Sequence, residues 1–337
     1  MTRLWWLSGI LLLSCFDSKE TKLQRFLIQS NDMVKKQNVE QAERLLNEAL
    51  KLDSCFSDAW NNLGTLYFDQ KKYQEALQYY DNAVRCDPAY FDGYFNRANT
   101  LYELNDHQRA LKDLESILPN YPDSSSLYFL QGLVLTRLQK FDEALRSFKK
   151  AFVLDENNNE ILVNLGTVHY YKKDFDSARY YLNRSIRSNP NEANALNALA
   201  MVEAELGNFS NAHKLMNDAL SMHPQNPYYL NNRGYIFLLT NQLDNALRDI
   251  DLSITIDPYN GWAYRNKGIY YLRTENYKEA IRLLLRAESS DPYIEKLYLL
   301  LGDAYTKDNI KSKACAYYAK ALERQEMDLM DYEMKCK

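Results

Sequence analysis

Residues 59–88 read AWNNLGTLYFDQKKYQEALQYYDNAVRCDP. Trp60, Leu63, Leu66 and Tyr67 fall at helical spacing, Asp69-Gln70-Lys71-Lys72 breaks the pattern, and Tyr73, Ala76, Leu77, Tyr80, Ala83 and Val84 resume it. The stretch therefore predicts two amphipathic helices joined by a polar turn. Asp87-Pro88 ends the second helix, because proline is excluded from a helix interior and tolerated at the start of the next one.

The same pattern returns every 34 residues. Prolines stand at 88, 122, 190, 224, 258 and 292, and an alanine occupies 42, 76, 110, 144, 178, 212, 246, 280 and 314. Twelve residues before each of these alanines is a small residue: Ser30, Gly64, Ala98, Gly132, Gly166, Ala200, Gly234, Gly268 and Gly302. These positions let two helices approach closely, and bulky neighbours fill the ridges and grooves around them. Nine units follow without insertion: 23–56, 57–90, 91–124, 125–158, 159–192, 193–226, 227–260, 261–294 and 295–328, leaving 329–337 as a tail.

Trp60, Leu63, Gly64, Tyr67, Ala76, Tyr80, Ala83 and Pro88 at this period resemble the tetratricopeptide repeat. The resemblance implies an all-α fold, a right-handed α-solenoid (superhelix) of nine helix-turn-helix units. The first helix of each pair would line a concave groove, and nine units would exceed one superhelical turn. Repeat one departs most, with Ser30 and Ser54 where glycine and proline are typical, and repeat three carries Ile117 at a position usually small.

Residues that the packing signature leaves undetermined carry the functional reading. Two residues before the small position stand Ile28, Asn62, Asn96, Leu130, Asn164, Ala198, Asn232, Asn266 and Leu300. Five are asparagine, a mediocre helix former whose amide packing does not require. In long tetratricopeptide proteins asparagines here form a ladder that hydrogen-bonds the backbone of an extended peptide. A carboxamide suits that task because it both donates and accepts. Asn61, Asn99, Asn197 and Asn231 would extend the ladder. The rival reading is compositional, since the chain is rich in asparagine throughout. Phe95, Tyr102, Tyr170, Tyr228, Tyr235 and Trp262 fall on the same helices outside the signature and would offer flat apolar surface to a partner side chain or a sugar ring. Arg265, Arg273, Lys296 and Lys307 read as a loose, solvated basic group rather than a clamp for a terminal carboxylate.

A net charge of −4 without a basic stripe argues against nucleic acid as partner. Histidines 107, 169, 213 and 223 fall at unrelated repeat positions, His169 replacing a signature tyrosine as a structural residue, and no CxxC or phosphate-binding glycine loop occurs. No catalytic residue, cofactor or metal is expected.

The start, MTRLWWLSGILLLSC, is a different kind of sequence. Its apolar run from Leu4 to Leu13 is too short to span a bilayer and suits a signal-peptide core over 1–14. Leu12-Leu13-Ser14-Cys15 resembles the lipobox of bacterial lipoproteins, although Leu13 is larger than the usual residue. The resemblance implies lipidation at Cys15, a short anchored linker over 15–22 and a place in the bacterial cell envelope. Phe16 after the cysteine favours the outer membrane. An exported chain can oxidise Cys55, Cys86, Cys315 and Cys336. Cys55 and Cys86 lie one repeat apart, but helices pack roughly 8–10 Å apart and a disulfide requires Cα atoms within about 7 Å, which weighs against that bridge.

The expected function is a membrane-anchored scaffold that binds extended protein segments. The alternatives are a glycan-binding envelope protein that uses its groove aromatics, and a structural subunit of an envelope assembly or secretion machine.

Overall fold

A computed structural model describes residues 18–336, so the signal-peptide-like stretch and Cys15 lie outside the described residues. Among the described residues there are nineteen α-helices, one short 3-10 helix at Leu118–Asn120, and no strands. The chain forms two compact units, the first ending at Leu154 and the second beginning at Asp155. The first contains four antiparallel helix pairs and the second five, followed by one further helix, Leu329–Cys336. Each pair matches one 34-residue unit of the sequence.

The small positions explain the close pairing. A Cβ at Gly64 would stand 2.6 Å from the Tyr80 ring, and at Gly132 it would stand 2.6 Å from Phe148. Leu182, Ile250 and Leu284 press equally close on Gly166, Gly234 and Gly268. The invariant alanines are buried: Ala42, Ala76, Ala110, Ala144 and Ala178 are all inaccessible to solvent.

Left-handed backbone makes the turn within each pair. Gln37, Lys71, Asn105, Gln139, Lys173, Asn241, Glu275 and Asn309 have φ of 57–62°, and Gly207 has φ of +78°. These nine residues also keep the 34-residue period. Proline falls in the turn between pairs, where Pro88 precedes the next helix, Phe91–Glu103, by three residues and does not start it. The residue before it shapes the turn: Asp87 Oδ1 accepts from Ala89 N at 2.9 Å, and Asp53, Asp155, Asn189, Asp257 and Asp291 make the same bond one or more repeats away.

Three features differ from the sequence reading. Cys55 and Cys86 do form a disulfide, with Cα atoms 5.1 Å apart. The helix-spacing argument fails because Cys55 lies in a turn and Cys86 is the last residue of the helix Tyr73–Cys86, and chain ends approach more closely than helix axes. The tail is helical: Tyr332 and Cys336 pack on the core of the ninth repeat, and a second disulfide joins Cys315 to Cys336. Finally, charged pairs replace the signature leucine inside some repeats. Arg97 stands where repeat two has Leu63, and its Nε and Nη2 each lie 2.7 Å from the carboxylate of Asp113, whose side chain is 9% exposed. Arg233 and Asp249 repeat the arrangement in the seventh unit.

Candidate peptide-binding face

From the second repeat on, first helices of successive repeats touch within each unit: Ser57–Asp69 meets Phe91–Glu103, and Ala193–Glu205 meets Pro227–Leu239. Among the described residues no second helix makes a comparable contact with the next second helix. Each unit therefore curves toward its first helices, and the polar residues at issue lie on that inner side.

Many of the asparagines bond one another there. Asn96 Nδ2 donates to Asn61 Oδ1 at 2.9 Å, Asn232 Nδ2 to Asn197 Oδ1 at 2.9 Å, and Asn266 Nδ2 to Asn231 Oδ1 at 2.8 Å. Each bond ties a first helix to its counterpart one repeat earlier. In the second unit the bonds run in series, because Asn231 Nδ2 lies 3.5 Å from Asn232 Oδ1 and Asn266 Oδ1 accepts from Arg265 Nη1 at 2.9 Å. Asn61, Asn231 and Asn266 are buried, the last at 2% exposure.

The premise that packing has no use for these amides is thus corrected. An unpaired buried amide costs more than a hydrogen bond returns, so the side chains come in pairs. The signal is present in the sequence as a spacing of 35 rather than 34: Asn61 with Asn96, Asn197 with Asn232, Asn231 with Asn266. Asn62 and Asn99 are different. Both are half-buried on the first-helix side, and neither carboxamide bonds to any described residue. Asn164 bonds only within its own helix, to Glu160 O at 2.9 Å.

The aromatics take several roles. Phe95 stacks on Phe91 at 5.9 Å, and Tyr102 accepts from Arg137 Nε at 3.2 Å. Tyr228 is 57% exposed and Trp262 is 37% exposed. Tyr170 and Tyr235 are half-buried, and desolvation first, then the carboxylates of Glu205 and Glu295, push the Tyr170 hydroxyl pKa up.

Arg273, Lys296 and Lys307 are exposed, as a solvated basic group requires, but Arg265 departs from that reading. It is buried, its guanidinium lies 5.5 Å from the Tyr235 ring and 5.6 Å from the Trp262 ring, and its Nε donates to the Glu295 carbonyl at 3.0 Å. Arg273 likewise donates to the Leu238 carbonyl. His169 is buried, and its Nδ1 lies 2.9 Å from Asp174 Oδ2.

Family models described as tetratricopeptide repeat match residues 57–90, 79–112 and 265–326, and one for the N-terminal tetratricopeptide region of Psidin matches 97–232. No curated protein is matched by sequence. Among solved structures, a chain of the APC/C hetero-tetramer Cut9-Hcn1 is 16% identical over 95% of this chain, with a TM-score of 0.62. This chain covers 63% of that one, less than two thirds of its length. IFIT1 with m7Gppp-AAAA is 15% identical over 94% of this chain and 81% of its own, with a TM-score of 0.63. The pilF protein of Pseudomonas aeruginosa is 20% identical over 63% of this chain and 96% of its own, with a TM-score of 0.54. At these identities the likeness is one of fold. The 34-residue period, the paired helices and the family matches agree: this chain is built of tetratricopeptide repeats.

Proposed function

We propose that this protein is a non-enzymatic scaffold that captures extended peptide segments on its first-helix face. One observation carries the reading: Asn62 and Asn99, in adjacent repeats of the first unit, hold carboxamides on the inner side that bond to no described residue. An amide so placed matches the donor and acceptor of a peptide group. The self-bonded amides, Asn96 with Asn61 and Asn266 with Asn231, set the spacing of the helices that present the free ones. Phe95 lies between Asn62 and Asn99 in sequence and on the same face, where it offers apolar surface to a partner side chain.

The setting we propose is the bacterial envelope, with Cys15 lipidated and the repeats exported. Two disulfides among the four remaining cysteines support maturation in an oxidising compartment. Random dodecapeptides displayed on phage and selected on the full chain test the peptide reading. Binders that lose affinity on Asn62→Ala/Asn99→Ala support it, and binders indifferent to both substitutions refute it. A Cys15→Ala form that still fractionates with membranes refutes the anchor.

A further inference from the structure

The ninth repeat begins unlike those before it. First helices in repeats two to eight start at Ser57, Phe91, Ser125, Asn159, Ala193, Pro227 and Gly261, always the first position of the 34. The ninth starts at Leu297, two residues late, and Lys296 before it has φ of +58°. Glu295 is thereby released from the helix. Its carbonyl accepts from Arg265, and its carboxylate lies 3.1 Å from Nζ of Lys173. Lys173 occupies the turn between the two helices of the fifth repeat, so this ion pair joins repeats five and nine within the second unit.

Just before Glu295 the segment is held. Ile294 is 1% exposed and abuts Gly261, where a Cβ would stand 2.8 Å from its Cδ1. Tyr293 lies under the Arg324 guanidinium at 4.1 Å. Arg265 links the segment to the amide series, passing from Glu295 through Asn266 and Asn231 to Asn232 and Asn197.

We infer that residues 293–296 are a strap across the first-helix face of the second unit, latched by Lys173, and that releasing it opens the inner side around Asn164 to an extended peptide. The latch suits a gate. Its lysine and glutamate side chains are 64% and 49% exposed, and an exposed pair is weak and screened by salt. The geometry stands without a ligand, while the gating rests on the peptide-binding reading above.

Spin labels at Asp176→Cys and Lys311→Cys, in a full chain carrying Cys15→Ser, report the separation of repeats five and nine by pulsed electron resonance. Glu295→Lys, which sets two lysines against each other, should shift the distances outward and broaden them. About 1 M salt, where the screening length is about 3 Å, should do the same. Lys173→Glu with Glu295→Lys should restore the wild-type distribution. Identical distributions in wild type, Glu295→Lys and high salt overturn the strap.

Dodecapeptides selected from a random library on the Glu295→Lys protein, and weakened by Asn164→Ala, should bind wild type about fivefold less tightly, since a closed fraction lowers apparent affinity in proportion. Equal affinity overturns the gate even if the distances open. If no form of the protein selects a peptide, the gate falls together with the peptide reading of this face, while the distances still decide the strap.

Discussion

Asp113→Ala tests how the first unit tolerates charge in its interior. Arg97 has a side chain 17% exposed and places two nitrogens 2.7 Å from Asp113, with Nη1 2.8 Å from Asp81. Asp81 is 46% exposed and holds one nitrogen only. Removing Asp113 therefore strands most of a buried guanidinium, and breaking a buried pair by losing one partner costs about 3–5 kcal/mol. Arg97→Leu/Asp113→Leu makes a different change, because it recreates the Leu199 and Leu215 found at the same positions of repeat six. Replacing both charges by packed apolar groups is often neutral or stabilising, so the double variant should lie within about 1 kcal/mol of wild type. Urea unfolding followed by far-ultraviolet circular dichroism measures both. A cost below about 1 kcal/mol for Asp113→Ala, the range of a surface pair, would refute the argument, as would a double variant no more stable than the single.

Other tests address the turns, the staples and the histidines. Gly207→Ala should cost about 1–2 kcal/mol from left-handed strain alone, because its φ is +78° and a Cβ would meet nothing within 4 Å; no change in the unfolding midpoint would contradict this. Non-reducing mass spectrometry should find Cys55 joined to Cys86. Since the bond closes 31 residues of sequence separation, Cys55→Ser/Cys86→Ser should cost about 2–4 kcal/mol. His107 and His213 have pKa values held below the ordinary 6.5, chiefly by burial and then by the positive charges of Arg137 and Arg233. The unfolded chain binds those protons more readily, so stability is whole above pH 6.5 and falls as pH drops below it. His107→Gln/His213→Gln should flatten that fall in melts taken between about pH 7 and pH 5, the range in which histidine titrates.

Repeat periodicity made the fold legible because a 34-residue unit has few ways to bury its apolar faces, and each copy restates the answer. Gly64 facing Tyr80 and Gly132 facing Phe148 were implicit in the pattern. What escaped was chemistry between repeats. The bonds from Asn96 to Asn61 and from Asn266 to Asn231 connect positions 35 apart, one step out of register with the repeat itself. A search at the fold's own period passes over them and assigns every amide to a ligand. Arg97 and Asp113 were legible only as a departure at one position compensated sixteen residues later. Glu295 could not be foreseen, since Glu-Lys is good helix-forming sequence, and its release depends on Arg265 and Lys173 from other repeats. The staple at Cys55 and Cys86 escapes a spacing rule for helix axes because it joins a turn to a helix end.

The central claim divides the asparagines into those that space the helices and those that face a partner. The direct test is the affinity of a selected dodecapeptide for Asn62→Ala/Asn99→Ala and for Asn96→Ala, each paired with its unfolding midpoint. Two lost hydrogen bonds at about 0.5–1.5 kcal/mol each should weaken the first variant roughly fivefold or more while its midpoint stays at the wild-type value. Asn96→Ala should lower the midpoint, because Asn61 is left buried without its partner. Wild-type affinity in the Asn62→Ala/Asn99→Ala protein would contradict the account.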